Sequence, residues 1–194
     1  MSGTVPHPNR GVRALARPLA GLPAGAYCLA MSNLTAEDLA HLRRCVELAR
    51  EALEDGDEPF GSVLVDPDGV VIQQDRNRTA GGDQTRHPEF ELARWAAGNV
   101  AADARAACTV YTSGEHCPMC SAAHAWVGLG RIVFAGSSAQ LTEWRRGWGL
   151  PDGPVAPLPI TAVAPGLPIA GPAPELEEEL HELHRQCAER QAAS

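Results

Sequence analysis

Two short stretches of this chain concentrate groups that can hold a metal ion and move a proton: His87-Pro88-Glu89 and Cys117-Pro118-Met119-Cys120, with 27 residues between Glu89 and Cys117. Each opens a segment that reads as a helix with proline in its first turn, where the missing N–H costs nothing. Cysteines one helical turn apart can aim both sulfurs at one point, and the positive end of a helix favours the thiolate. A C-x-x-C pair points to metal or to dithiol redox chemistry, and the His-x-Glu stretch upstream favours metal. His87 with Cys117 and Cys120 makes three ligands. Three protein ligands leave a coordination position for water, which separates a catalytic zinc site from a structural one, and zinc brings the pKa of such a water to about 7. Glu89, two residues beyond His87, is then placed to face that water as the proton carrier. His116 stands directly before Cys117 and offers either a supporting hydrogen bond or a fourth ligand that would close the position.

The elements that must position these groups are visible in the pattern. Thr35 with Asp38 forms a capping box, and Leu39, Leu42, Val46, Ala49 and Leu53 recur at spacings of three and four, predicting an amphipathic helix over 36–54. Residues 60–66 and 70–74 read as a β-hairpin closed by the Asp66-Pro67-Asp68-Gly69 turn. A helix over 87–98, a strand over 108–113, a helix over 117–127 and a strand over 131–135 follow. This order predicts a three-layer α/β/α domain around a mixed sheet. Residues 140–148 read as a surface turn whose tryptophans pack under the arm that follows. Residues 151–174 hold eight of the sixteen prolines and read as an arm across the surface. In a last helix Leu176, Leu180, Leu183 and Cys187 share one face, behind an acidic run at its positive end. The expected organisation is an N-terminal extension over 1–30, a core over 31–150, and the arm and final helix over 151–194 packing on the core.

Composition narrows the partners. The chain of 194 residues has a net charge of −8; all sixteen basic residues are arginine. Arg10, Arg13 and Arg17 fall in the first thirty residues, so the remainder carries thirteen arginines against twenty-four acids, or −11. Nucleic-acid affinity rests on phosphate neutralisation, so this balance argues against a nucleic-acid partner. No apolar run approaches the roughly 18 residues of a membrane span, and no secretory segment stands out, so the expected compartment is the cytoplasm. Cys28, Cys45, Cys108 and Cys187 lie singly and read as small apolar residues; His41, His124, His181 and His184 read as surface or packed helix residues.

The combination of His87, Glu89 and the Cys117/Cys120 pair resembles the zinc-dependent cytidine and nucleobase deaminase superfamily, whose signature is H-x-E followed by P-C-x-x-C. The resemblance spans roughly residues 33–136, including Pro59-Phe60-Gly61-Ser62-Val63, Asn77 and Asp83. Cys-Pro-Met-Cys, Trp126 six residues later and the Thr112-Ser113-x-Glu115 approach are most similar to bacterial guanine deaminases; His116 departs from the usual proline, and Pro88 from the usual small residue. The resemblance implies a cytidine deaminase-like fold, Zn2+ on His87, Cys117 and Cys120, and Glu89 shuttling protons. It further implies Asn77 at the substrate edge, Phe60 and Trp126 as walls around a planar base, and a homodimer. In the guanine enzymes a C-terminal segment contributes a carboxylate over the pocket, and Glu143 is the candidate here. The implied reaction is hydrolytic release of ammonia from a free nucleobase or similar heterocycle, of guanine or cytosine/aminotriazine type. A tRNA adenosine deaminase or a nucleoside deaminase is the alternative.

Overall fold

In a computed structural model, which describes residues 34–193, five strands form one sheet in the order β2-β1-β3-β4-β5. They are β1 (Gly61–Val65), β2 (Val71–Arg76), β3 (Thr109–Gly114), β4 (Ile132–Gly136) and the two-residue β5 (Ile169–Ala170). β1 runs antiparallel to β2 and β3, whereas β3, β4 and β5 run parallel, so the sheet is mixed as expected. The helices are α1 (Ala36–Glu54), α2 (Pro88–Asn99), α3 (Pro118–Val127), α4 (Ser138–Gly147), the single turn α5 (Ile160–Val163) and α6 (Glu177–Ala192).

Strand periodicity sorts the core into two faces. Val63, Val65, Tyr111, Val133 and Ala135 point to one side, where Leu42, Val46, Ala49 and Leu53 of α1 meet Leu180, Leu183 and Cys187 of α6. Leu64 and Val110 point to the other side, against Leu92, Ala93 and Ala96 of α2 and the partly buried Ala123 and Val127 of α3. Ile132 and Phe134 pack with Ile160 of α5. β1 and β4 are buried along their whole length, while β2 at the edge is largely exposed.

The local signals hold. The Thr35 capping box closes, with Asp38 N donating to Thr35 Oγ1 at 3.1 Å and Thr35 N to the Asp38 carboxylate at 3.0 Å. Asp38 does more than cap: Arg131 donates to both its oxygens at 2.8 and 3.1 Å, and the Tyr111 hydroxyl adds a third contact at 3.0 Å. This ties the first turn of α1 to β3 and to the start of β4. Cys45, Cys108 and Cys187 are buried thiols. Cys28 and the extension over 1–30 lie outside the described residues.

Two readings need correction. Residues 138–147 form a helix rather than a turn, started by a capping box in which Gln140 N donates to Ser137 Oγ and Ser137 N to the Gln140 side chain. The proline-rich arm is also less irregular than its composition suggests: it contributes α5, and β5 completes the sheet. No helix among the described residues is long and apolar enough to cross a membrane.

Candidate active site

α2 and α3 begin in the same way. His87 and Cys117 are their N-cap residues, proline follows at the first helical position, and neither N-cap side chain makes a capping hydrogen bond. Both side chains turn instead toward a common point, where Cys120, one turn into α3, also arrives. Cys117 Sγ lies 3.5 Å from Cys120 Sγ and 3.6 Å from His87 Nδ1, and Cys120 Sγ lies 3.7 Å from that nitrogen. Tetrahedral corners about 2.3 Å (sulfur) and about 2.0 Å (nitrogen) from a zinc ion are roughly 3.5–3.8 Å apart, so the three atoms fit one ion. Among the described residues this is the group of His, Cys and acidic side chains with such geometry.

The electrostatics suit a cation. The hydrogen bond from Cys120 and the neighbouring His87 pull the Cys117 thiol down to about 4, despite its partial burial. Cys120 is pushed up by its contact with Cys117 and by burial, a rise that a coordinated dication reverses. The same Cys117 contact raises His87.

Glu89 is 5% exposed and stands beside the three ligands, its Oε2 accepting from Cys120 Sγ at 3.6 Å. Its other oxygen is held from β3: Thr112 Oγ1 donates to Oε1 at 2.9 Å, and Ser62 Oγ on β1 donates to Thr112 at 2.9 Å. One oxygen is thereby fixed to the sheet while the other faces the ligand set. Burial raises the Glu89 carboxyl above the ordinary range, outweighing the nearby His87.

A cavity of about 520 Å³ opens from this centre and is lined by His87, Glu89, Cys117 and Phe60, by α4 through Trp144 and Arg145, and by α6 through Leu180 and His184. Phe60 reaches the wall because Gly114 has no side chain; a Cβ there would lie 2.8 Å from the ring. A family model, the cytidine and deoxycytidylate deaminase zinc-binding region, matches residues 35–136. The chain belongs to this family. The deaminase is 36% identical over 117 residues to a probable cytosine deaminase of Schizosaccharomyces pombe, covering 59% of this chain and 70% of that one. It is 33% identical over 103 residues to the guanine deaminase of Bacillus subtilis, covering 53% and 66%. A solved guanine deaminase from Nitrosomonas europaea superposes with a TM-score of 0.59 at 22% identity, over 87% of this chain and 94% of that one, which shows the cytidine deaminase-like fold. Zinc is the metal of the family's site, and His87, Cys117 and Cys120 are the residues placed to hold it.

The remaining sequence candidates separate in space. Phe60 is at the cavity wall. Asn77 is fully buried, its Oδ1 accepting from Thr79 N and Oγ1, while its Nδ2 has no partner. Trp126 does not wall the cavity: it is 89% exposed on α3, because its helical position faces away from α2 and the sheet. Glu143 is likewise on the outer side of α4, and its neighbours Thr142 and Trp144 line the cavity. His116 is no fourth ligand. Its ring is buried edge-on against His124, 5.4 Å between centroids, and both its nitrogens lack partners. His124 in turn bonds the Gly130 carbonyl at 2.9 Å and does not approach the cavity.

Sequence reasoning missed Thr112, Trp144 and His184. His184, read as a packed helix residue, stands edge-on to Phe60 at 5.0 Å in the wall, and burial holds it neutral, down to about 3.

Proposed function

We propose that this deaminase is a zinc-dependent aminohydrolase of a free nucleobase or nucleobase-like heterocycle, of guanine or cytosine/aminotriazine type, that releases ammonia. The observation that carries the reading is the placement of Glu89: buried, fixed at one oxygen by Thr112, and open at the other toward three ligand atoms that share one point at the floor of the cavity. The cytosine and guanine deaminase names of its relatives support the substrate class.

Zinc, when bound, supplies Lewis acidity and brings the pKa of a water to about 7. The protein's own part lies with Glu89. Its Oε2 takes a proton from the attacking water and passes it to the ring nitrogen beside the reacting carbon, then takes the remaining proton of the added hydroxyl and delivers it to the departing amine, which leaves as ammonia while the carbonyl forms. Burial favours the protonated form of the Glu89 carboxyl. Phe60 supplies a flat wall and excludes water. The resemblance assigns Asn77 to the substrate edge, although it is fully buried and not among the residues that line the cavity, and its Nδ2 has no partner.

The finer assignments extend this reading. The exposed Trp126 suits a contact between two copies in a homodimer better than a pocket wall. The free thiols Cys45, Cys108 and Cys187 suit the reducing cytoplasm. The acidic balance disfavours a nucleic-acid substrate.

A panel measuring ammonia release from free bases and nucleosides tests the function. Guanine, cytosine or an aminotriazine should react, and Glu89→Ala should abolish release with zinc still bound. Inosine formed in tRNA, without reaction of any free base, would assign the chain to the tRNA enzymes instead. Light scattering that gives a monomer at micromolar concentration would remove the homodimer.

A further inference from the structure

The metal ligands and Glu89 handle the amidine of a substrate, the exocyclic amine and its adjacent ring nitrogen. The rest of the ring faces the opposite wall, and its polar edge must find partners there or lose binding energy. Four carboxylates line the cavity: Glu58, Glu89, Glu115 and Asp152. Three are already engaged. Glu89 serves the chemistry; Glu115 accepts backbone N–H groups from Ser138 at 2.9 Å and Ile160 at 3.0 Å, starting α4 and α5; Asp152 is largely exposed and paired with Arg146 at 3.3 Å.

Glu58 is different. Its nearest charged partner is Arg145, Nη1 to Oε1, at 3.9 Å, too long for a hydrogen bond. Both side chains are about one-third exposed, and both line the cavity. An anionic acceptor and a cationic donor thus stand side by side, neither closed by the other, next to the aromatic surfaces of Phe60 and Trp144. A lactam, ring N–H beside ring C=O, presents the matching donor and acceptor.

We propose that Glu58 and Arg145 form a lactam-reading subsite: the Glu58 carboxylate accepts from the ring N–H, the Arg145 guanidinium donates to the adjacent carbonyl, and the site thereby selects lactam-bearing amino-heterocycles. This rests on the aminohydrolase reading above and names the feature of the substrate that the site recognises. Guanine and cytosine both carry a lactam in the same ring as the amidine; adenine does not. His184, held neutral, places no competing charge beside Glu58 and Arg145. A site built to pair polar groups disfavours an analogue lacking them, because a ring lying against Glu58 and Arg145 then covers them without pairing them.

The test uses the zinc-loaded full-length chain with Glu89→Ala, which binds without turnover. It compares Kd values within two matched pairs: guanine against 2-aminopurine, and cytosine against 4-aminopyrimidine, each pair differing by the lactam alone. 2-Aminopurine binding is read by its fluorescence and the other ligands by competition. In at least one pair the lactam should bind about a hundred-fold more tightly, and Glu58→Gln and Arg145→Met should each cut that ratio to below about ten-fold. Equal binding within both pairs, a ratio untouched by both substitutions, or no binding by any of the four would overturn the inference. Ammonia release by the wild-type chain is measured in parallel. Its absence from every base overturns the aminohydrolase reading, while the binding ratios still report on Glu58 and Arg145.

Discussion

Thr112 Oγ1 donates a 2.9 Å hydrogen bond to Glu89 Oε1, and through it the buried carboxylate of α2 is anchored to the centre of the sheet. Thr112→Val keeps the shape and removes the donor. Partners that orient a site's working groups cost about 10- to 100-fold when removed, and kcat should fall by that amount with zinc content unchanged. Ser62 Oγ loses its acceptor in the same variant, so a stability loss of about 1–2 kcal/mol should accompany it in denaturant titration. A variant with wild-type kcat would show that Glu89 needs no anchoring.

Metal removal should act on both activity and stability. His87, Cys117 and Cys120 cluster two helix starts around one point, and without a cation the thiolate of Cys117 and the raised Cys120 thiol share that space. Chelation should abolish ammonia release and lower Tm, and added zinc should restore both. Cys117→Ala should lose stoichiometric zinc in metal analysis. Full zinc content in that variant would mean the ion sits elsewhere.

Acid should weaken the fold through Asp38. Burial alone would raise this carboxyl, but hydrogen bonds from Arg131, Thr35 and Tyr111 hold it below the usual carboxylate value. A group depressed on folding contributes stability above its unfolded pKa of about 4, and that contribution is lost as pH falls through the folded value. Asp38→Asn should therefore flatten the fall in unfolding free energy below about pH 4. The same variant at neutral pH leaves Arg131 without its carboxylate and should cost about 3–5 kcal/mol, less where water reaches the guanidinium. An unchanged acid slope would place the linkage in other carboxylates.

Gly114→Ala tests the aromatic wall. The added Cβ would meet Phe60 Cε1 at 2.8 Å and Cδ1 at 3.0 Å, so the ring must move. Displaced substrate contacts of this order cost about 100-fold in rate, with zinc retained. Unchanged kcat/KM would show that Phe60 does not position the substrate.

The metal centre was legible because its ligands are local: a His-x-Glu and a Cys-x-x-Cys, each at a helix start, fix their own geometry within one turn. The capping box of α1 was legible for the same reason. What was not legible depends on contacts between distant segments. Thr112 meets Glu89 only because β3 lies beside the start of α2. His184 sits in an amphipathic helix whose pattern says which face is buried, but not that one buried position opens on a cavity. The tryptophans show the same limit. Trp126 lies nearest the cysteines in sequence and points outward, whereas Trp144, in a segment read as a turn, reaches the wall. β5 has two residues, too few for any periodicity to register.

The cavity draws on two separable stretches of chain. The metal ligands and Glu89 come from residues 87–120, while Trp144, Arg145, Leu180 and His184 arrive from the last third of the chain. Exchange of the later stretch between relatives could therefore retune which molecule is accepted while leaving the hydrolytic machinery untouched. Hybrids joined after Gly136, where β4 ends, are the natural place to look for altered preference at undiminished turnover.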